Sequence, residues 1–221
     1  METKVNYQRL LDEITNKLES EGRAASLLLH SCCGPCSSYV VTYLKQWFDI
    51  TVLYYNPNIY PEEEYDHRLS EQARLLEELG VPLIAVPYDH QEFLDRVQGL
   101  ESEPEGGRRC AACFELRLEK ALQVAKEGGF SYFATTLTVS PHKNAVVINR
   151  IGEELAAAEK TDNNPMEEAD NSRKNNSFVK WLPSDFKKRD GYKHSIELSK
   201  KYNLYRQDYC GCEFAMGHLL S

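Results

Sequence analysis

Seven cysteines fall into three tight groups along the chain. Cys32, Cys33 and Cys36 lie in His30-Ser31-Cys32-Cys33-Gly34-Pro35-Cys36, Cys110 and Cys113 form a Cys-x-x-Cys, and Cys210 and Cys212 form a Cys-x-Cys. A thiol used only for packing has no reason to have another within a few residues, whereas thiolates that share a metal or exchange a disulfide do. Three chemistries use such spacing. A disulfide framework belongs to short secreted chains, and here the cysteine count is odd and the segment 1–7 has no apolar signal. Thiol–disulfide exchange would use Cys33-Gly34-Pro35-Cys36, the string thioredoxins carry, and would leave five thiols idle. Metal ligation, by zinc or an iron–sulfur cluster, employs all three groups. Seven thiolates exceed the four one site needs, which suggests a cluster plus a second metal or a redox pair.

Such a site needs elements that bring distant segments together. Leu27-Leu28-Leu29 reads as a buried strand, and the first cysteine group follows it directly. Further strands are expected at 50–55, 83–86 and 132–136, with a short extended segment at 178–182. Helices are expected at about 3–22, from Ser37/Ser38 as caps to Trp47, from Pro61 to Leu79 with Gly80 as the stop, and at 91–98, 114–127, 141–158 and 185–202. The stretch 106–109 reads as a loop that delivers Cys110, and the Asn-rich stretch 161–176 as a mobile polar insert. Strands alternating with helices predict an α/β fold, a parallel sheet with helices on both faces, whose ligand sits beyond the carboxyl ends of the strands. The first cysteine loop, Asn56 and Thr136 each follow a strand, so the chemistry is expected at that edge.

A chain of 221 residues, 42% hydrophobic, can bury an ordinary core and is expected to form one α/β domain over 1–221. No run approaches the roughly 18 apolar residues of a membrane span, so a cytoplasmic location without a membrane partner is expected. The net charge of -8 argues against generic nucleic-acid binding. Yet 180–206 holds eight Lys/Arg against three Asp/Glu, a local +5 that can meet phosphates or can simply be a solvated face.

Six separated segments, in order, resemble the cobalamin-independent epoxyqueuosine reductases of the QueH type. They are 30–36, Tyr55-Asn56-Pro57-Asn58-Ile59, 110–118, 135–143, Asp185-Phe186-Lys187-Lys188 and 205–212. The resemblance covers about residues 25–215 apart from the insert. It implies reduction of epoxyqueuosine to queuosine at the wobble position of tRNA, with an unidentified electron donor. It also implies a Rossmann-like, HUP-like nucleotide-binding fold in which the cysteine loop stands where a Gly-rich phosphate loop would be. The cofactors implied are a 4Fe–4S cluster and a second, mononuclear iron. Epoxide deoxygenation needs two electrons and a Lewis acid, which such a pair supplies.

On that reading Cys110 and Cys113, with Cys32 or Cys33, would hold the cluster. Cys210 and Cys212, with Cys33 or Cys36, would hold the second iron. Cys32, Cys33 and Cys36, with His142 as a proton donor, would form the catalytic group. Asn56, Thr136 and Lys143 would contact the substrate, and Lys187, Lys188, Arg189 and Arg206 the tRNA backbone. Tyr60, Tyr65, Tyr192 and Tyr209 could stack on splayed bases. Each residue has a plainer reading: His30 as a satisfied core histidine, Asn56 as a turn residue, the threonines as strand residues, the lysines as surface charge. Two other functions fit parts of the pattern. A thiol oxidoreductase using Cys33/Cys36 would work without iron, and a zinc-stabilised RNA-binding module would be colourless and redox-inert.

Overall fold

The computed structural model describes residues 5–162, 178–207 and 209–216. In chain order the elements are α1 (Tyr7–Ser20), β1 (Ala25–Ser31), α2 (Gly34–Leu44), β2 (Phe48–Tyr54), α3 (Glu62–Leu79), β3 (Leu83–Ala85) and α4 (His90–Val97). Then follow α5 (Arg108–Glu127), β4 (Tyr132–Thr135), a 3-10 turn (Thr136–Val139), α6 (Ala145–Asp162), β5 (Lys180–Trp181), α7 (Gly191–Lys201) and α8 (Glu213–Met216). The five strands form one parallel sheet in the order β3-β2-β1-β4-β5.

The central strand explains the two-faced core. Leu27 and Leu29 point to one side, into a cluster with Leu11, Val40, Leu44 and Leu76 from α1, α2 and α3. Leu28 points to the other, among Phe114, Leu118, Ala121 and Ile148 from α5 and α6. A strand buried on both faces reads as a continuous apolar run, because alternate side chains meet different helix layers. The chain leaves β1 toward β2 on one side and β4 on the other, so a crevice opens beyond the carboxyl ends where the strand order reverses.

Several sequence expectations shift in physically explicable ways. Helix α1 starts at Tyr7 because the Asn6 side chain caps it, accepting from Arg9 N–H. Ser37 and Ser38 are not caps. Helix α2 begins at Gly34, with Cys33 at the cap position, and the Ser37 amide already donates to the Cys33 carbonyl. Arg108 and Arg109 belong to α5 rather than to a loop, so Cys110 sits in a first helical turn. Helix α6 starts at Ala145, where Asn144 Oδ1 accepts from Val146 N–H at 3.0 Å, and not at Pro141. The helix expected from Asp185 begins only at Gly191. Arg189 and Asp190 adopt positive φ of 54° and 58°, which no α-helix accommodates. Residues 161–162 of the expected insert extend α6, and 163–176 lie outside the described residues. Among the described residues no helix is long and apolar enough to cross a membrane.

Candidate metal centre and active site

At the end of β1 the chain turns directly into α2. Cys33 is extended there (φ -171°, ψ 155°), and Cys36 lies three residues on, in the first helical turn. Residues three apart share a helix face. The Cys33 and Cys36 sulfurs are therefore 3.0 Å apart, Cys32 and Cys33 are 3.8 Å apart, and the three ligand atoms lie within 4.8 Å of one another. The backbone beneath is pinned by Ser31, whose hydroxyl bonds Ser37 and donates to Gln72 Oε1 at 3.0 Å. Hydrogen bonds from Cys33 and Cys36 hold the Cys32 thiol well below its ordinary pKa, with Arg117 and His30 assisting against burial. The Cys32 contact and burial push Cys33 up to about 12 against the opposing Cys36 contact, and contacts with Cys32 and Cys33 together with burial push Cys36 well up.

The other four cysteines lie on two segments. Cys110 is in the first turn of α5 and packs against the Leu28–Phe114 core, whereas Cys113 is in the second turn, on the Phe93 side. Cys113 and Cys212 are buried together with Phe93 and Val97, and Cys210 and Phe214 pack at the margin. Burial raises both thiols, Cys212 to about 12. Lys143 Nζ stands 3.0 Å from Cys210 Sγ and 3.5 Å from Glu105. Burial works against its charge, and the Cys210 thiolate overrides that and raises its pKa.

Two buried arginines, Arg117 and Arg68, flank the thiols, and neither is among the site residues expected from the sequence. Arg117, 2% exposed, reaches Cys113 Sγ at 3.9 Å, Asn56 Oδ1 at 2.6 Å and His30 Nε2 at 3.3 Å. Among the described residues it has no carboxylate partner. A buried guanidinium without a carboxylate calls for other negative charge, and the groups that act on it here are the sulfurs of Cys113, Cys32 and Cys210. Arg68, also 2% exposed, is held by Glu64 at 2.6 Å and by the Cys210 carbonyl at 3.2 Å. An arginine one turn after a cysteine on one helix, as in Cys113/Arg117, was the available signal.

The thiols open on a cavity of about 500 Å³ at the carboxyl edge of the sheet, lined by Cys32, Cys33, Cys36, Cys210 and both arginines. His142 and Lys143 also line it, from the turn before α6 rather than from a helix start, with His142 exposed. Arg206 lies on the rim, 5.2 Å over the Tyr192 ring. Asn56 is elsewhere engaged. It is buried, donates to the Ser31 carbonyl at 2.9 Å and accepts from Arg117, so it positions the arginine rather than facing the cavity. Thr136 is fully buried outside the cavity lining. Lys187 is tied inward, with Nζ donating to the carbonyls of Thr138 and Lys143 and paired with Asp185. Arg189 is exposed but paired with Asp12 at 2.6 Å, and Lys188 is exposed. Tyr65 is buried against Tyr54, which leaves Tyr60 and Tyr192 as the exposed aromatics of that group. His30 is the satisfied core histidine expected. It is fully buried between Thr135 and the Tyr55 carbonyl, and burial pushes its pKa down to about 3.

This architecture defines a class, a Rossmann-like α/β protein whose first-strand loop presents thiols where relatives of the fold bind nucleotides. The fold is shared with a U34-tRNA thiolase NcsA from Methanococcus maripaludis solved with its 4Fe–4S cluster (TM-score 0.51, 14% identity, covering 96% of this chain and 75% of that one). Residues 27–218 match the family Epoxyqueuosine reductase QueH. A protein of that name from Streptococcus pyogenes serotype M1 is 41% identical over 218 residues, spanning 96% of this chain and 78% of its own. Another from Staphylococcus epidermidis is 40% identical over 220 residues, spanning 96% and 85%. The chain belongs to the epoxyqueuosine reductase QueH family and is an oxidoreductase.

Proposed function

We propose that this chain reduces epoxyqueuosine to queuosine at the wobble position of tRNA, the last step in forming that nucleoside. The observation that carries this reading is the family match over 27–218, with Cys32, Cys33 and Cys36 crowded at the end of β1 and Cys113, Cys210 and Cys212 packed together across Arg117 from them. In the reaction two electrons and two protons enter, the two C–O bonds of the epoxide break, a C=C bond forms and water leaves.

The thiols fit the two iron sites differently from the division that spacing alone suggested. Thiolates around one tetrahedral ion stand about 3.8 Å apart when each metal–sulfur bond is ~2.3 Å. The 3.8 Å between Cys32 and Cys33, and the confinement of all three sulfurs within 4.8 Å, suit a single iron with an open fourth position, for which Cys33 and Cys36, 3.0 Å apart, would move outward. Cys110, Cys113, Cys210 and Cys212 are as many thiolates as a 4Fe–4S cluster takes. The carboxylate-free Arg117 beside them is the counter-charge such an anionic group requires. Bound there, the cluster would supply single electrons and the open iron a Lewis acid.

The protein's own residues do the rest. Lys143 and Arg117 hold fixed positive charge beside the thiols. His142, on the exposed lip of the cavity, can carry a proton inward from solvent. Lys143 and Arg206 face the incoming nucleotide, and Lys188 offers surface charge for backbone phosphates. The electron donor is a separate molecule. Anaerobic protein with iron and sulfide assayed, mixed with epoxyqueuosine-containing tRNA and a chemical reductant, should yield queuosine by nucleoside mass spectrometry. An iron-loaded protein that leaves epoxyqueuosine intact overturns the reading, and turnover by iron-free protein transfers it to Cys33/Cys36 thiol exchange.

A further inference from the structure

The cavity contains polar atoms that the fold leaves unpaired. Asn58 Oδ1, Arg68 Nη2 and Gln207 Oε1 are each shielded from solvent, have no hydrogen-bond partner, and belong to residues that line the cavity beside Cys32, Cys33 and Cys36. Asn58 is 1% exposed and Arg68 2%. An unpaired buried polar atom costs the full loss of its hydration, so folded proteins keep few of them, and those they keep call for an explanation.

These three are also held in place. The other guanidinium nitrogens of Arg68 are engaged by Glu64 at 2.6 Å and the Cys210 carbonyl at 3.2 Å, and the group lies 5.2 Å over the Tyr209 ring. That anchoring leaves Nη2 as the one free donor nitrogen. Gln207 lines the cavity with Cys33, next to Arg206, whose guanidinium donates to Ser199 Oγ at 3.4 Å. Asn58 follows the end of β2, in the turn that the Tyr88 hydroxyl ties through the Ile59 carbonyl at 2.7 Å.

The set is therefore two acceptors and one cationic donor. Phosphate offers only acceptor oxygens, and two carbonyl oxygens would repel it. A hydroxyl both donates and accepts, and neighbouring hydroxyls on a small ring can satisfy two acceptors and one donor together. We propose that Asn58, Arg68 and Gln207 form a hydroxyl-binding subsite that grips the hydroxylated five-membered ring bearing the epoxide, and so sets which modified base enters. This inference rests on the function proposed above. Arg206, exposed among the lining residues, is left to take phosphate, and the buried set takes the neutral ring. The subsite thus discriminates by hydrogen bonding to the ring, where a cavity selecting by shape alone would tolerate a ring without hydroxyls.

The test compares two anticodon stem-loops, one with epoxyqueuosine and one whose wobble base carries the same deazaguanine core without the ring. Both are titrated against iron-loaded wild type and the variants Asn58→Leu and Gln207→Met. Wild type should bind the ring-bearing RNA more tightly, and each variant should lose about tenfold of that difference while its affinity for the ring-less RNA changes little. Asn58 is deeply buried and its variant can misfold. Gln207, half-buried in an irregular segment, then gives the independent reading. Retention of the full ring-dependent difference in Gln207→Met, or equal weakening of both RNAs, overturns the subsite. Wild-type turnover of epoxyqueuosine, measured alongside, separates that failure from failure of the reductase reading.

Discussion

The two cysteine groups are assembled by opposite means. Cys32, Cys33 and Cys36 come from one strand end and one helical turn, so their convergence is local and needs only the β1–α2 junction. Cys113, Cys210 and Cys212 meet because the start of α5 and the segment after α7 are pressed together over Phe93 and Val97, and Cys110 stands one turn before Cys113 on α5. The C-terminal segment has little regular structure of its own. It is held by Tyr60 N–H donating to the Gly211 carbonyl at 2.9 Å, Arg68 to the Cys210 carbonyl at 3.2 Å, and His90 to Glu213 at 2.9 Å. A local group survives loosening of the tertiary structure, and an assembled one does not. The tight trio is thus the robust half of the site and the four-thiol group the half that depends on the whole fold.

The largest test is removal of one ligand from each group. Cys113→Ala should abolish turnover and cluster absorbance yet retain about one iron per chain. Cys33→Ala should abolish turnover with absorbance kept. Loss of the cluster in Cys33→Ala with retention in Cys113→Ala would reverse the division. Next in size, Arg117→Met removes the buried cation that faces both groups, and should cost about 3–5 kcal/mol of stability in the iron-loaded protein, read by denaturant titration. Unchanged stability would mean the thiolates do not depend on that charge.

A smaller change separates the halves. Gly211 has φ of 90°, and a Cβ there would lie 3.1 Å from the Arg68 guanidinium. Gly211→Ala should cost about 1–3 kcal/mol of strain and lower cluster retention, while the trio's ion stays. In Gly152→Ala the new Cβ meets the Trp181 ring at 2.3 Å, far from either group. Thermal unfolding should fall by a comparable ~1–3 kcal/mol with iron content unaffected, a control for general destabilisation. The smallest effect is at the surface. Lys188→Ala should reduce the salt dependence of tRNA binding by about one counterion. Lys187→Ala, whose ammonium is tied to two carbonyls and Asp185, should act on stability instead.

The order and class of the elements were legible because apolar runs and helix stops are local signals. Leu27-Leu28-Leu29 and Gly80, the latter with φ of 66°, behave as read. What misled were polar residues with two uses. Ser37 and Ser38 look like caps, but α2 starts three residues earlier because Pro35 fits a first turn and Ser37 is drawn into bonds with Ser31 and Gln72. Asn56 and Lys187 read as ligand contacts, yet each satisfies buried partners, Arg117 in one case and the carbonyls of Thr138 and Lys143 in the other.

By itself the sequence determined a parallel α/β sheet with the first cysteine loop directly after its first strand, because motif spacing and hydrophobic period are properties of neighbouring residues. Only the tertiary structure decided which thiols face one another, that Arg117 and Arg68 supply the charge between them, and that Asn58, Arg68 and Gln207 are left with unpaired atoms. Those facts depend on distances between segments far apart in the chain, and such distances are set by the packing of helices on the two faces of the sheet.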